Sequence, residues 1–284
     1  MSLQVSRNVV RVLFAGIVCL AVPLHASQPE RIVSSAKTAV DYSTLLLQLK
    51  SAQVVVLGEV HENPLHHEIR ARLIRDLARP QLTVVAEHLT YAKEVDFSLG
   101  LLPGLEQAGF EPKAWQWPMH APLFQSVLNQ RLRLIGGNLS REMTVALSRQ
   151  GVQALPSELR DLLQRATLTP GLQGALEQEI FDGHCGLLPR SATPKMALVQ
   201  RGRDIAMARV TLDHLPAVLV TGNGHAWLGA GVPQVIKAQR PELAVISVIF
   251  SEGDPVDYNR ANFFWITPVV QRPDPCEQLK PKAN

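Results

Sequence analysis

Short apolar runs along the middle of the chain alternate with helix-period segments. Val54-Val55-Val56-Leu57 is a continuous apolar stretch that stops at Gly58, the pattern of a strand buried on both faces. Asn63-Pro64 then opens a helix, with Asn63 as cap and Pro64 in the first turn. Leu65, Ile69, Leu73 and Leu77 recur every four residues along it, and Ile74 widens the stripe. Further strands are predicted at Leu82 to Ala86, Leu132 to Ile135, Ala217 to Thr221 and Leu243 to Phe250, with Phe263 to Ile266 as an edge strand. Helices are predicted over Ala121–Gln130 and Val232–Ala238. This β-α alternation predicts an α/β fold: a mostly parallel sheet flanked by helices on both faces.

One stretch breaks the alternation. Between Arg141 and Leu212 no strand pattern appears. A helix start at Pro156-Ser157-Glu158 and helical faces over Gly171 to Phe181 and Lys195 to Ala208 predict a smaller helical subdomain, inserted at about 141–212. The chain from 27 to 284 is otherwise read as one α/β domain.

The N-terminus has a different character. Arg7 and Arg11 precede the apolar run Val12 to Leu24, and Leu24-His25-Ala26 precedes Ser27. Thirteen apolar residues are too few to span a bilayer, so residues 1–26 are expected to be a cleaved secretory signal. Cys19 follows Ile17-Val18 where a lipobox needs a small residue, which argues against a lipid anchor. Export to a periplasm-like compartment is therefore expected. Loss of residues 1–26 leaves 26 basic against 25 acidic residues, so no polybasic footprint remains and a nucleic-acid partner is excluded. With 46% hydrophobic and 19% charged residues, the chain is not a disordered one.

Export also gives the cysteines a meaning. Cys185 and Cys276 are the pair left after cleavage, and in an oxidising compartment they are expected to bridge. Two unpaired thiols, one of them a metal ligand, are the alternative.

Polar residues gather where the strands end. Gly58-Glu59-Val60-His61 follows the first strand, Glu87-His88 the second, Gly136-Gly137-Asn138 the third and Gly222-Asn223-Gly224-His225 the fourth. Open parallel sheets bind ligands beyond the carboxyl ends of their strands, so His61 and His225 are expected to face one cavity. His66 and His67 lie close by, but no second His follows at the spacing of a zinc-protease helix. Neither a dinucleotide fingerprint nor a nucleophile elbow is present.

The blocks VVVLGEVHENPLHHEIRARLI, VVAEHL, WQWPMHAPLF, GGNLSRE, GHCGLLP, QRGRDIAMA and VTGNGHAWLGAGVP together resemble the ChaN family of haem-binding uptake proteins. That family is similar to Tiki, TraB and erythromycin-esterase-like proteins, which share paired Gly-x-x-His motifs. Here these are Gly58–His61 and Gly222–His225, with Glu59 and Glu87 as accompanying acids. The resemblance implies an α/β domain with a smaller helical one, export in bacteria, and haem as the ligand. A homodimer or a haem-uptake receptor is the further partner to consider.

Relatives carry a Tyr a few residues after the Trp of the WQWPMHAPLF block, where this chain has His120. The resemblance thus makes His120 the expected axial ligand of the haem iron; a cap on the following helix is the other reading. Trp115, Trp117 and Phe124 are either core or the apolar wall a porphyrin needs. The expected haem-binding set is His120, His61, His66, His67, Glu59, Glu87, Asn138, His225 and Trp117. The competing function is metal-dependent hydrolysis by Glu59, His61, Glu87 and His225.

Overall fold

A computed structural model describes residues 30–274 and 276–277; the expected signal segment 1–26 lies outside the described residues. Near the start come β1 (Arg31–Ser34), β2 (Ala39–Val40) and α1 (Tyr42–Ser51), whose first turn is capped by Asp41 accepting from the Thr44 N–H. The first expected strand is β3 (Val54–Leu57), followed by α2 (Pro64–Leu77). Asn63 caps α2 by accepting from the Leu65 N–H at 3.0 Å. Then follow β4 (Thr83–Thr90), α3 (Leu101–Gln107), α4 (Ala121–Asn129) and β5 (Arg133–Asn138). The long strand-free stretch holds α5 (Arg141–Gln150), α6 (Ser157–Arg165), α7 (Pro170–Gly183) and α8 (Thr193–Asp213). The chain closes with β6 (Ala217–Val220), α9 (Val232–Gln239), β7 (Val245–Glu252) and β8 (Phe263–Thr267).

The eight strands form one sheet in the order β2-β1-β8-β7-β3-β6-β4-β5. The six strands from β8 to β5 run parallel, while β1 and β2 pair antiparallel at one end. Alternation along β3 divides the core. Val55 and Leu57 pack with α1, α2, α3 and α4 on one face. Val54 and Val56 pack with α5, α6, α8 and α9 on the other. The sheet is thus covered by helices on both faces, as a parallel sheet requires.

The strand expected at an edge lies inside the sheet. β8 is buried at all five residues, because β1 covers it through Ile32 opposite Trp265 and Val33 opposite Phe264. β1 is only four residues long and follows the N-terminal segment directly, too short to stand out as a pattern. Two other strands extend beyond their expected ends. Glu87 and His88 lie within β4, and Gly136-Gly137-Asn138 lies within β5, not after them. β4 also bulges here: Ala86 pairs with Gly136 and Thr90 with Asn138, so four residues of β4 span two of β5. A bulge re-aims the side chains it carries, and those of β4 are Glu87, His88 and Leu89.

The expected disulfide is present. Cys185 and Cys276 are joined across 91 residues with their Cα atoms 5.5 Å apart, which ties the segment after α7 to the C-terminal segment.

Candidate functional site

β3 and β6 are neighbours in the sheet, yet their chains leave it in opposite directions. α2 follows β3 onto one face and α9 follows β6 onto the other. A crevice opens where adjacent connections diverge in this way. Both Gly-x-x-His motifs stand at that point. The parallel ladder runs on into them, with the Asn223 N–H donating to the Glu59 carbonyl at 3.0 Å. Their glycines admit this approach. A Cβ on Gly58 would lie 2.6 Å from Asn223 Oδ1, and one on Gly222 would lie 2.8 Å from His61 Nε2.

The polar side chains form two clusters that meet at Gly222, where His61 Nε2 and Glu87 Oε2 both lie close. In the first, Glu59 is fully enclosed among imidazoles. His61 donates from Nδ1 to Glu59 Oε1 at 2.8 Å. His88 Nε2 and His120 Nε2 stand 3.3 and 3.6 Å from the same oxygen. The other oxygen, Oε2, contacts the guanidinium of Arg70 and lies 3.0 Å from His67 Nδ1. Trp115 roofs the group, with its ring centre 4.4 Å from that of His88 and 5.2 Å from that of His61. Phe124 walls His88 from below at 5.4 Å. His61, with a side chain 36% exposed, is the member that reaches solvent.

Burial sets the charge of these imidazoles. It pushes His120 down to about 2, helped by the neighbouring His67, Arg70 and His61, with the Trp115 backbone pulling the other way. It also holds His88 well below the ordinary imidazole range, again aided by His120 and Arg70. His67 falls to about 4 for the same primary reason. Arg70 is pushed down to about 9 by complete burial, against the pull of Glu87.

The second cluster lies across the sheet. Glu87 Oε2 accepts from Thr221 Oγ1 and from the Gly222 N–H, each at 2.7 Å. Its Oε1 lies 3.4 Å from His225 Nε2, while His225 Nδ1 meets Asp204 Oδ1 at 2.7 Å. Arg201 completes the row beside Asp204 and donates to the carbonyls of Ala230 and Ala166. Burial alone would lower the His225 pKa, but Glu87 and Asp204 outweigh it and raise it to about 10. Burial likewise pushes Glu87 up, yet His225, His61 and the Gly222 N–H hold it well below the carboxylate range. Glu87 and Asp204 thus favour the imidazolium form of His225, whose Nδ1 also lies 3.1 Å from Gln200 Nε2.

The expected site residues take different places in this arrangement. His225 is held between Glu87 and Asp204, while His61 pairs with Glu59 and stands beside Gly222 and Glu87. His66 is buried and accepts from the Val60 N–H through Nδ1 while donating from Nε2 to Thr267 Oγ1, which takes both nitrogens away from any ligand. His67 is likewise held, by the His61 carbonyl and by Arg70. His120 precedes α4 but makes no capping bond. It is 1% exposed and turned toward Glu59. Trp117 packs against Phe110 at the edge of the core, with ring centres 5.7 Å apart. Asn138 lines a cavity of about 270 Å³ together with His88, Trp115, Ser140 and Arg141.

Two members of these clusters escaped the sequence. Arg70 follows His67 by one helical turn and reads as a solvated cation, since nothing marks it as buried. Asp204 stands just before the run Ile205-Ala206-Met207-Ala208 of α8, and that isolation within an apolar face was the available signal.

Comparison with known proteins agrees with this architecture. ChaN of Campylobacter jejuni, described as binding haem cofacially, superposes with a TM-score of 0.69 at 20% identity, over 84% of this chain and 97% of that one. The type III effector HopBA1 is more distant, with a TM-score of 0.42 at 11% identity, over 86% of this chain and 99% of that one. No curated protein matches the sequence. The family model described as haem-binding uptake, Tiki superfamily, ChaN matches residues 45–236, from α1 through α9. That match covers more than half of the chain and both Gly-x-x-His motifs, and the chain belongs to this haem-binding uptake family.

Proposed function

We propose that the chain is an exported haem-binding protein acting in haem or iron uptake, and that His61 is the imidazole that meets the iron. Family membership supports haem as the ligand. The Cys185–Cys276 bridge suits an oxidising compartment, in line with the signal-like N-terminus.

The observation that carries the role of His61 is the state of its ring. Nδ1 donates to Glu59, which fixes the tautomer and leaves the Nε2 lone pair free. Gly222, which carries no side chain, lies beside Nε2. Trp115 lies against the ring and provides an apolar surface for a macrocycle. Nearby, a groove of about 650 Å³ is lined by Glu62, Pro64, Gln116, Met119, Val270 and Arg272, within the size range of small-molecule pockets. Haem supplies the iron and its ligand-binding chemistry; the protein supplies the oriented imidazole and the carboxylate that makes it a stronger donor.

Hemin titration of the protein lacking residues 1–26 tests this. A Soret shift that saturates and is lost in His61→Ala supports the reading. No saturable shift, or a greater loss in His120→Ala than in His61→Ala, counts against it.

A further inference from the structure

The Glu59 cluster contains more ligand chemistry than one axial imidazole uses. His88 is 2% exposed and His120 is 1% exposed. Both ring nitrogens of His88, and Nε2 of His120, are buried with no hydrogen-bond partner among the described residues. Buried polar atoms are almost always paired, and an unpaired one points to an ion or water at that spot. Here two such nitrogens, from β4 and from the residue before α4, are directed at the same carboxylate oxygen.

We propose that Glu59, His61, His88 and His120 form a binding site for a single divalent transition-metal ion of the zinc class, filled when His61 is not engaged by haem. One ligand atom from each of the four lies within 4.8 Å of every other. Three imidazoles with one carboxylate are a donor set that suits zinc and its neighbours rather than calcium or magnesium. The spacing agrees as well. Donors held at about 2.0–2.1 Å from a tetrahedral ion lie about 3.3 Å from one another. The nitrogens of His61, His88 and His120 lie 2.8, 3.3 and 3.6 Å from Glu59 Oε1.

The surroundings provide the outer layer that such sites need. The Arg70 guanidinium contacts Glu59 Oε2, which leaves Oε1 as the oxygen turned toward the imidazoles, a monodentate ligand. Trp115 and Phe124 keep water from His88. His61 sits on the solvent side and closes the site through Nδ1. A neutral imidazole carries one lone pair, so His61 serves the buried ion through Nδ1 or an outside ligand through Nε2, not both together. The metal site is therefore tested on haem-free protein.

The probes are Zn²⁺ and Co²⁺ added to chelator-treated, haem-free full-length mature chain. One Co²⁺ per chain should bind, with the intense visible ligand-field bands of a four-coordinate ion. X-ray absorption of the Zn²⁺ form should show imidazole scattering from several rings. Zn²⁺ should raise the Tm and a chelator should reverse the rise. His88→Ala and His120→Ala should each weaken Zn²⁺ affinity by more than about tenfold, since loss of a supporting residue alone costs that much. Circular dichroism identifies any variant that does not fold. The wild-type stoichiometry and spectrum judge the site independently of the variants. Sub-stoichiometric binding, a six-coordinate Co²⁺ spectrum, or unchanged affinity in folded His88→Ala and His120→Ala would overturn the proposal.

Discussion

Glu87 and His88 are consecutive in β4, and their side chains leave the sheet on opposite faces. Glu87 reaches Thr221, whose hydroxyl also touches Met207 of α8, and ends in the ion pairs of His225. His88 enters the aromatic box of Trp115, His120 and Phe124 beside α4. A period of two residues in one strand thus supplies both clusters. The His225 cluster holds the crevice together, and the Glu59 cluster carries imidazole nitrogens without hydrogen-bond partners.

The His225 cluster makes a pH prediction. His225 has a folded pKa near 10, above the ordinary value of 6.5, so its stabilisation is complete below pH 6.5 and is lost as pH rises toward 10. Glu87, held below the carboxylate range, keeps its contribution down through that window and loses it only in acid. Glu87→Gln removes one partner of a buried ion pair, which costs about 3–5 kcal/mol. Urea denaturation should give this deficit near pH 6 and a smaller one near pH 9.5. A deficit that does not change with pH would show that His225 is neutral in the fold.

His66 predicts the reverse slope. Burial, opposed by Glu252, lowers its pKa to about 4, so the folded form holds it neutral while the unfolded chain protonates near 6.5. Stability should therefore fall as pH drops from 6.5 to 4, by up to roughly 3 kcal/mol from this residue. His66→Gln removes that titration. Wild type should lose more stability than the variant over the same interval; parallel losses would refute the assignment.

The disulfide makes a third prediction. A bridge across 91 residues restricts the unfolded chain strongly, worth roughly 4–5 kcal/mol in the chain-entropy account. Reductant, or Cys276→Ser, should lower the Tm clearly, and denatured oxidised protein should show no free thiol. Two titratable thiols in freshly purified oxidised protein would contradict the bridge.

These predictions separate what periodicity reveals from what it hides. The run Val54–Leu57 and the four-residue spacing in α2 announced a parallel sheet with its helices, because burial on both faces leaves an uninterrupted apolar signature. The same logic placed Gly58–His61 and Gly222–His225 at strand ends. It could not see that β4 continues past Ala86 through a bulge, since Glu87 and His88 are polar residues buried by partners distant in sequence. It also could not tell His225 from His61. Their motifs are alike, and the difference lies in Asp204, which α8 brings from 21 residues away. The interior place of β8 was equally hidden, because β1 reaches it from the far N-terminal side.

A change at Gly222 isolates Nε2 of His61 without altering any ligand. A Cβ on Gly222 would stand 2.8 Å from His61 Nε2, 3.1 Å from its Cε1 and 3.6 Å from Glu87 Oε2. Such contacts are too close for the ring to stay in place, so in Gly222→Ala the imidazole must move or its Nε2 is covered. The Gly222 N–H that donates to Glu87 is retained by alanine, so the His225 cluster should persist. Hemin affinity should fall by about tenfold or more, equivalent to roughly 1.4 kcal/mol, while the folded far-UV spectrum is kept. Gly171→Ala, where an added Cβ meets nothing within 4 Å, is the control for a methyl group alone. If Gly222→Ala binds hemin as tightly as wild type, with an unchanged Soret band, iron does not approach through His61 Nε2.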